Sequence, residues 1–133
     1  MDNEYLVALS QVRLERAKEL IDEANNLLKA DCYKSANNRA FYAMEKAIKS
    51  LLALKGQDNL THNGTLKQFN YHYIYNGDGF FGTDDYKILS SAEQIRNASD
   101  YDDFYIANKE ETIKQVANAQ YLYNKVCEYI NNN

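Results

Sequence analysis

The stretch CYKSANNRAFYAMEKAIKSLLALK, residues 32–55, decides the fold. On a helical wheel at about 100° per residue, its apolar side chains share one arc and its charged and amide side chains lie opposite them. This separation predicts a long amphipathic helix with one face in a hydrophobic core. The predicted apolar arc contains Ala36, Ala40, Phe41, Met44, Ala47, Ile48, Leu51, Leu52 and Leu54.

Another helical segment precedes this one, over residues 4–29. Asp31 is the expected N-cap of the helix over 32–55, and Gly56 is its expected C-terminal stop. A polar link over residues 57–59 follows. The apolar residues of the first segment recur at three- and four-residue steps, as on one face of a helix: Leu14, Ala17, Ile21, Ala24 and Leu28.

A third, shorter helix is predicted around Leu66, Phe69 and Tyr73. It should end at the sequence NGDG, residues 76–79, which is a dense turn signal. No segment has a strand pattern of comparable strength, and the chain has no internal repeat.

Two more helices are predicted in the last third of the chain. The fourth is expected to begin at a cap on Thr83 or Asp84. The fifth is expected to begin at Asn108, which is followed by Glu111 at the spacing of a capping box. Their predicted core residues are Ile88, Ala92 and Ile95 in the fourth helix, and Ile113, Val116, Tyr123, Cys127 and Ile130 in the fifth.

The composition agrees with a helical domain. The chain has 133 residues and no proline, and 45% of its residues are hydrophobic. A chain of this length suits one domain, over residues 1–133, with one core and uninterrupted helices. Helices joined by short loops pack as antiparallel neighbours. We therefore predict an all-α fold, an antiparallel up-and-down bundle of about five helices.

Targeting and metal-binding signals are weak. No apolar run reaches the length of about eighteen residues that a membrane helix needs, and Asp2 and Glu4 replace the basic start of a secretory signal. Cys32 and Cys127 are too few for a disulfide framework and lack metal-ligand spacing. We expect a cytoplasmic protein with reduced cysteines, no metal, no cofactor and no membrane partner.

The helix over 32–55 also carries a basic stripe. Five cations and one anion lie on this helix, whereas the whole chain has a net charge of −4. Arg39 and Lys46 are two turns apart and point almost the same way, beside the small residue Ala43, which permits close approach of another helix. The pair could hold a phosphate between two subunits, or the stripe could simply be a solvated face. The polar arc contains Lys34, Asn38, Arg39, Tyr42, Glu45, Lys46 and Lys49.

Short motifs along the chain carry a family resemblance. Residues 33–44 resemble the signature of the HEPN domain family, in which small residues lead into Arg, an aromatic pair, Ala and Met. Downstream, residues 51–56, the Thr61-His62 step with Gly64, and Arg96 with Asp100-Tyr101 are similar to further motifs of that family, in the same order. The resemblance implies a dimeric helical bundle of a toxin–antitoxin or defence system. It also implies RNA as the target and a minimal nucleotidyltransferase as a possible partner.

The resemblance further implies a catalytic pair. In active HEPN ribonucleases, an arginine and a histidine that follows it cut RNA without a metal, the arginine by stabilising the transition state and the histidine by transferring protons. Arg39 matches the arginine, whereas Lys46 stands at the position of the histidine. A lysine is a poor proton shuttle at neutral pH unless it is desolvated, although it can still bind phosphate. Two readings stay open: a metal-independent endoribonuclease, or a catalytically silent module that binds the nucleotidyltransferase or a nucleotide.

The remaining candidates complete the predicted site. Asn38, Arg39, Tyr42, Lys46 and Lys49 are the expected RNA- or phosphate-binding residues. His62 could replace the missing base, although its position after Thr61 also suits a loop or capping histidine. Arg96, Asp100 and Tyr101 are expected to brace the helices.

Overall fold

The structure is a computed structural model, and it describes residues 2–57 and 60–132. Within this part of the chain there are five α-helices and no strand, which confirms the predicted all-α bundle. Residues 58 and 59 of the predicted polar link lie outside the described residues. The helices are α1 (Asn3–Lys29), α2 (Tyr33–Ala53), α3 (His62–Phe69), α4 (Thr83–Tyr101) and α5 (Lys109–Asn131), and a π-helical turn (Asn70–Tyr75) continues α3.

The helix α2 lies at the centre of the bundle. Helices α1, α3, α4 and α5 all pack against it, and α1 forms the longest contact because only a short turn joins the two. The predicted apolar arc of α2 is buried, except for Leu54, which follows the last helical residue and is exposed. Ala43 is also fully buried, so the close helix approach that this residue permits is used within the chain.

Asp31 does not cap α2. Its backbone has a φ of +61°, a left-handed conformation that Asp tolerates better than most residues. The N–H groups of Asp31 and Cys32 bond the carbonyls of Leu28 and Leu27, which is the Schellman pattern at the end of α1. The predicted N-cap was therefore wrong: Asp31 ends α1, and Cys32 is the N-cap of α2 without a side-chain capping hydrogen bond. Gly56, with a φ of +79°, ends α2 in the same way, as predicted.

The fourth helix also begins differently from the prediction. Gly82 is the N-cap of α4, and its N–H donates to the Asp85 carboxylate at 2.9 Å. Asp85 is buried and also accepts hydrogen bonds from Tyr121 at 2.9 Å and Lys125 at 3.0 Å, on α5. Neither Thr83 nor Asp84 is the cap, because the carboxylate that reaches the helix start is held in place by α5.

The fifth helix begins as predicted, but its buried face is turned. The Asn108 side chain accepts a hydrogen bond from the Glu111 N–H at 2.8 Å, which confirms the cap. The Glu111 carboxylate bonds the Tyr105 hydroxyl at 3.0 Å. Ile113 is exposed, contrary to the prediction, whereas its neighbour Thr112 is buried. The fully or mostly buried residues of α5 are Thr112, Gln115, Val116, Ala119, Leu122 and Val126.

Among the described residues, no helix combines the length and the apolar character that a membrane-crossing segment requires.

Candidate functional site

A shallow groove between α1 and α2 collects most of the predicted phosphate-binding residues. Its volume is about 380 Å³, and we call it the cationic groove. Because residues three or four positions apart share a helix face, α2 presents a single row of side chains to it. The lining residues are Arg16 and Leu20 from α1 and Asn38, Arg39, Tyr42 and Lys46 from α2.

Arg39 lies at the cationic groove but is not a free cation. Its Nε donates to a carboxylate oxygen of Glu23 on α1 at 3.0 Å, and the second Glu23 oxygen accepts from Arg16 at 2.9 Å. The Arg39 Nη1 also donates to the side-chain oxygen of Asn38. The guanidinium is therefore oriented by its neighbours, and Glu23 neutralises part of the positive charge at this end of the groove.

Lys46 supplies the uncompensated charge of the cationic groove. It forms no ion pair within residues 2–57 and 60–132. Burial lowers the pKa of Lys46, and the positive charges of Lys49, Arg13 and Arg16 lower it further, against the opposing effect of Glu45. A cation held among other cations is a favourable point for an anion, because the anion relieves their mutual repulsion.

The position of Glu45 differs from the prediction more than that of the other charged residues of α2. It was predicted on the polar arc of α2, but only 3% of the residue is exposed. It is covered by the start of α3, where His62 Nδ1 forms a hydrogen bond with its carboxylate. Lys49, the remaining predicted phosphate ligand, lies 3.6 Å from the same carboxylate and does not line the groove.

His62 lies beside the groove and is held from two directions. It is the first residue of α3, and the cap of that helix is the Thr61 hydroxyl, which accepts from the Gly64 N–H at 3.0 Å. The imidazole is packed against the rings of Phe41 and Tyr42, with centroid distances of 5.4 and 6.1 Å. Since Tyr42 lines the cationic groove, the histidine is adjacent to it.

Arg96 of α4 also packs against these two rings, with Asp100 and Tyr101 beside it. The Arg96 guanidinium is 5.3 Å from the Phe41 ring and 5.5 Å from the Tyr42 ring, while Tyr101 covers it at 5.8 Å. Asp100 lies 3.7 Å from Arg96 and accepts a hydrogen bond from Asn38 at 2.9 Å. This set connects α4 to α2, the geometry that a brace would have.

Comparison with known proteins identifies the family. The family model of the HEPN domain matches residues 10–130, which is most of the chain. The chain belongs to the HEPN domain family.

Three relatives illustrate this HEPN membership. A protein of Archaeoglobus fulgidus named "UPF0332 protein" is 29% identical over 125 residues, covering 92% of this chain and 96% of the relative. A Methanocaldococcus jannaschii protein named "Putative toxin MJ0142" is 26% identical over 117 residues, covering 88% and 78%. A Thermotoga maritima "UPF0332 protein" is 39% identical over 62 residues, covering 47% of each chain.

The burial of the Glu45 carboxylate in this HEPN chain was not predicted, although the sequence contains a signal for it. Glu45 is four residues after Phe41, three before Ile48 and seven before Leu52. On a helix these spacings place it beside three core residues. A charged residue at such a position needs a hydrogen-bonding partner, and His62 is one.

Proposed function

We propose that this HEPN protein is of the toxin–antitoxin type and that, as a homodimer, it binds RNA in the cationic groove. Two of its relatives have names that contain the word toxin. The observation that carries the RNA proposal is Lys46, a cation among cations at the position where the family resemblance puts a catalytic histidine.

An RNA phosphate suits the chemistry of the groove. A phosphate oxygen beside Lys46 would reduce the repulsion from Lys49 and Arg16, and Arg39 can offer its remaining N–H donors. The Tyr42 ring offers a stacking face for an unpaired base. Because the whole chain is acidic, such binding is local, and it should weaken as salt concentration rises.

Replacement of Lys46 tests this proposal. We expect Lys46→Met to weaken binding of a labelled single-stranded RNA about tenfold and to reduce the salt dependence by roughly one phosphate contact. The thermal midpoint should not fall, because burial and neighbouring charges already disfavour the lysine charge at this site. Fluorescence anisotropy at several salt concentrations, with thermal unfolding in parallel, gives both quantities.

The matched control for that experiment is Lys114→Met. Lys114 is exposed and lies in a depression between α4 and α5, away from α1 and α2. The Lys114→Met substitution removes one positive charge, as Lys46→Met does, and it should leave the affinity for RNA almost unchanged. Equal affinity of Lys46→Met and wild-type protein would contradict RNA binding in the cationic groove.

The proposed homodimer draws support from the loop after α4. Phe104 is 94% exposed and Ile106 is 85% exposed, and Tyr101 at the end of α4 is also exposed. Large apolar side chains grouped on a surface are typical of an interface. We expect the wild type to sediment with twice the mass of one chain and Phe104→Ser/Ile106→Ser to sediment as a monomer. Tyr75→Ser, at an exposed site in the π-helical turn, is the control that should leave the dimer intact.

The second candidate is a catalytically silent HEPN module that binds a minimal nucleotidyltransferase or a nucleotide. Lys46 favours it, because a lysine stands where the resemblance implies a proton-transferring histidine. The RNA experiment separates the two candidates. Wild-type protein that binds no RNA, but co-purifies with a nucleotidyltransferase encoded beside its gene, would support the second candidate.

A further inference from the structure

The burial of Glu45 calls for an explanation beyond packing. A buried carboxylate is stable only with partners that satisfy its oxygens, and the partners of Glu45 come from two elements, Lys49 of α2 and His62 of α3. An apolar residue of similar size would serve the core equally well. We therefore expect the role of the carboxylate to lie in its effect on its partner, the His62 imidazole.

The pairing with Glu45 calls for a proton on one particular nitrogen of His62, Nδ1. An ionised carboxylate can only accept hydrogen bonds, so the hydrogen shared with Glu45 belongs to Nδ1. In the neutral ring, Nε2 is then left with its lone pair, as in catalytic triads where a carboxylate orients a histidine. The side chain is 37% exposed, which lets a bound molecule reach it.

The position of His62 connects this pair to the cationic groove. The imidazole touches Tyr42, and Tyr42 lines the groove together with Arg39 and Lys46. A phosphate held at Lys46 would therefore lie on the same helix face as the ring beside the imidazole. The helix α2 supplies the positive charge, and α3 supplies an imidazole whose ring nitrogens can accept or donate a proton.

We propose that His62 is the general base of an RNA-cleaving reaction in the cationic groove and that Glu45 is its positioning residue. This inference rests on the proposed RNA binding. His62 Nε2 takes the proton of a ribose 2′-hydroxyl, and the 2′-oxygen forms a bond to the adjacent phosphorus. The bond from phosphorus to the 5′-oxygen breaks, and that oxygen takes a proton from water. The imidazolium returns its proton to the hydroxide left behind. The products are a 2′,3′-cyclic phosphate and a 5′-hydroxyl.

The tautomer of His62 tests the positioning role without any RNA. The chain has two histidines, so ring-nitrogen NMR of protein labelled with ¹⁵N-histidine gives two sets of signals, and His72→Gln assigns them. We expect the neutral ring of His62 to carry its proton on Nδ1 in the wild type and to populate the other tautomer in Glu45→Leu. A wild-type ring protonated on Nε2 would overturn the pairing.

The cleavage rate tests the catalytic role. We expect His62→Gln to lower kcat at least 100-fold and Glu45→Gln to lower it about tenfold, with KM and RNA affinity unchanged in both. Glu45→Gln keeps the shape of the side chain, so it remains informative if Glu45→Leu does not fold. The matched control is His72→Gln, which should cut at the wild-type rate.

Binding and cleavage assays together distinguish a failure of the catalytic role of His62 from a failure of RNA binding. Wild-type protein that binds RNA in a Lys46-dependent manner but leaves it intact would overturn the role of His62 and keep the proposed function. Cleavage by His62→Gln at the wild-type rate would do the same. Wild-type protein that neither binds nor cuts RNA would overturn both.

Discussion

Phe41→Ala should lower the free energy of unfolding by about 3–5 kcal/mol, the usual cost of truncating a buried phenylalanine. The Phe41 ring is almost fully buried on α2, and it contacts His62 of α3 and Arg96 of α4. Its removal would leave a cavity at the point where three helices meet. Urea unfolding followed by circular dichroism at 222 nm measures the change.

Tyr75→Ala is the control for this aromatic truncation. Tyr75 is exposed at the end of the π-helical turn, so its loss should change stability by no more than about 0.5 kcal/mol. A cost below about 1 kcal/mol for Phe41→Ala would contradict the central position of its ring in the core.

Asp85→Ala should have the next largest effect, a loss of about 2–3 kcal/mol. The substitution removes the acceptor for the Gly82 N–H at the start of α4, and it leaves Lys125 without the carboxylate that it pairs with at 3.0 Å. Lys125 is partly exposed and can turn toward water, which keeps the cost below that of a fully buried pair. Chemical unfolding at neutral pH provides the measurement.

The neighbouring Asp84→Ala is the matched control. Asp84 is exposed, so its loss should stay within about 0.5 kcal/mol, although the sequence offered it as a cap. Adding Lys125→Met to Asp85→Ala should cost less than the sum of the two single changes, because the two residues interact. Full additivity would show that the ion pair contributes nothing.

High pH should remove the stabilisation that the ion pair between Lys125 and Asp85 provides. Burial lowers the pKa of Lys125, but hydrogen bonds to Asp85 and Tyr121 outweigh it and leave the pKa above its usual value. A group with a raised pKa in the folded state stabilises the fold fully below its unfolded pKa, and this stabilisation is lost as pH rises through the folded pKa. The difference between wild type and Asp85→Ala should therefore persist at neutral pH and shrink only in strongly alkaline solution.

Three of the residues that line the cationic groove could be grouped together from the pattern of one helix. Arg39, Tyr42 and Lys46 were expected on one face of α2, and they line the cationic groove together. Helical spacing places such residues together regardless of the rest of the fold. The same spacing does not reveal that Arg16 lines the groove or that Glu23 pairs with Arg39, because both residues belong to α1 and only packing brings that helix alongside α2.

Local patterns determined the helical class, the central helix and the Asn108 cap, because each depends on residues within a few positions of one another. Only the tertiary structure decided that Glu45 is buried and that Asp85 holds the start of α4. These two carboxylates are 17 and 40 residues away from His62 and Lys125, their respective partners. A charged side chain can be buried only where a partner residue satisfies it. The local periodicity of the sequence does not show which distant residue will pack there.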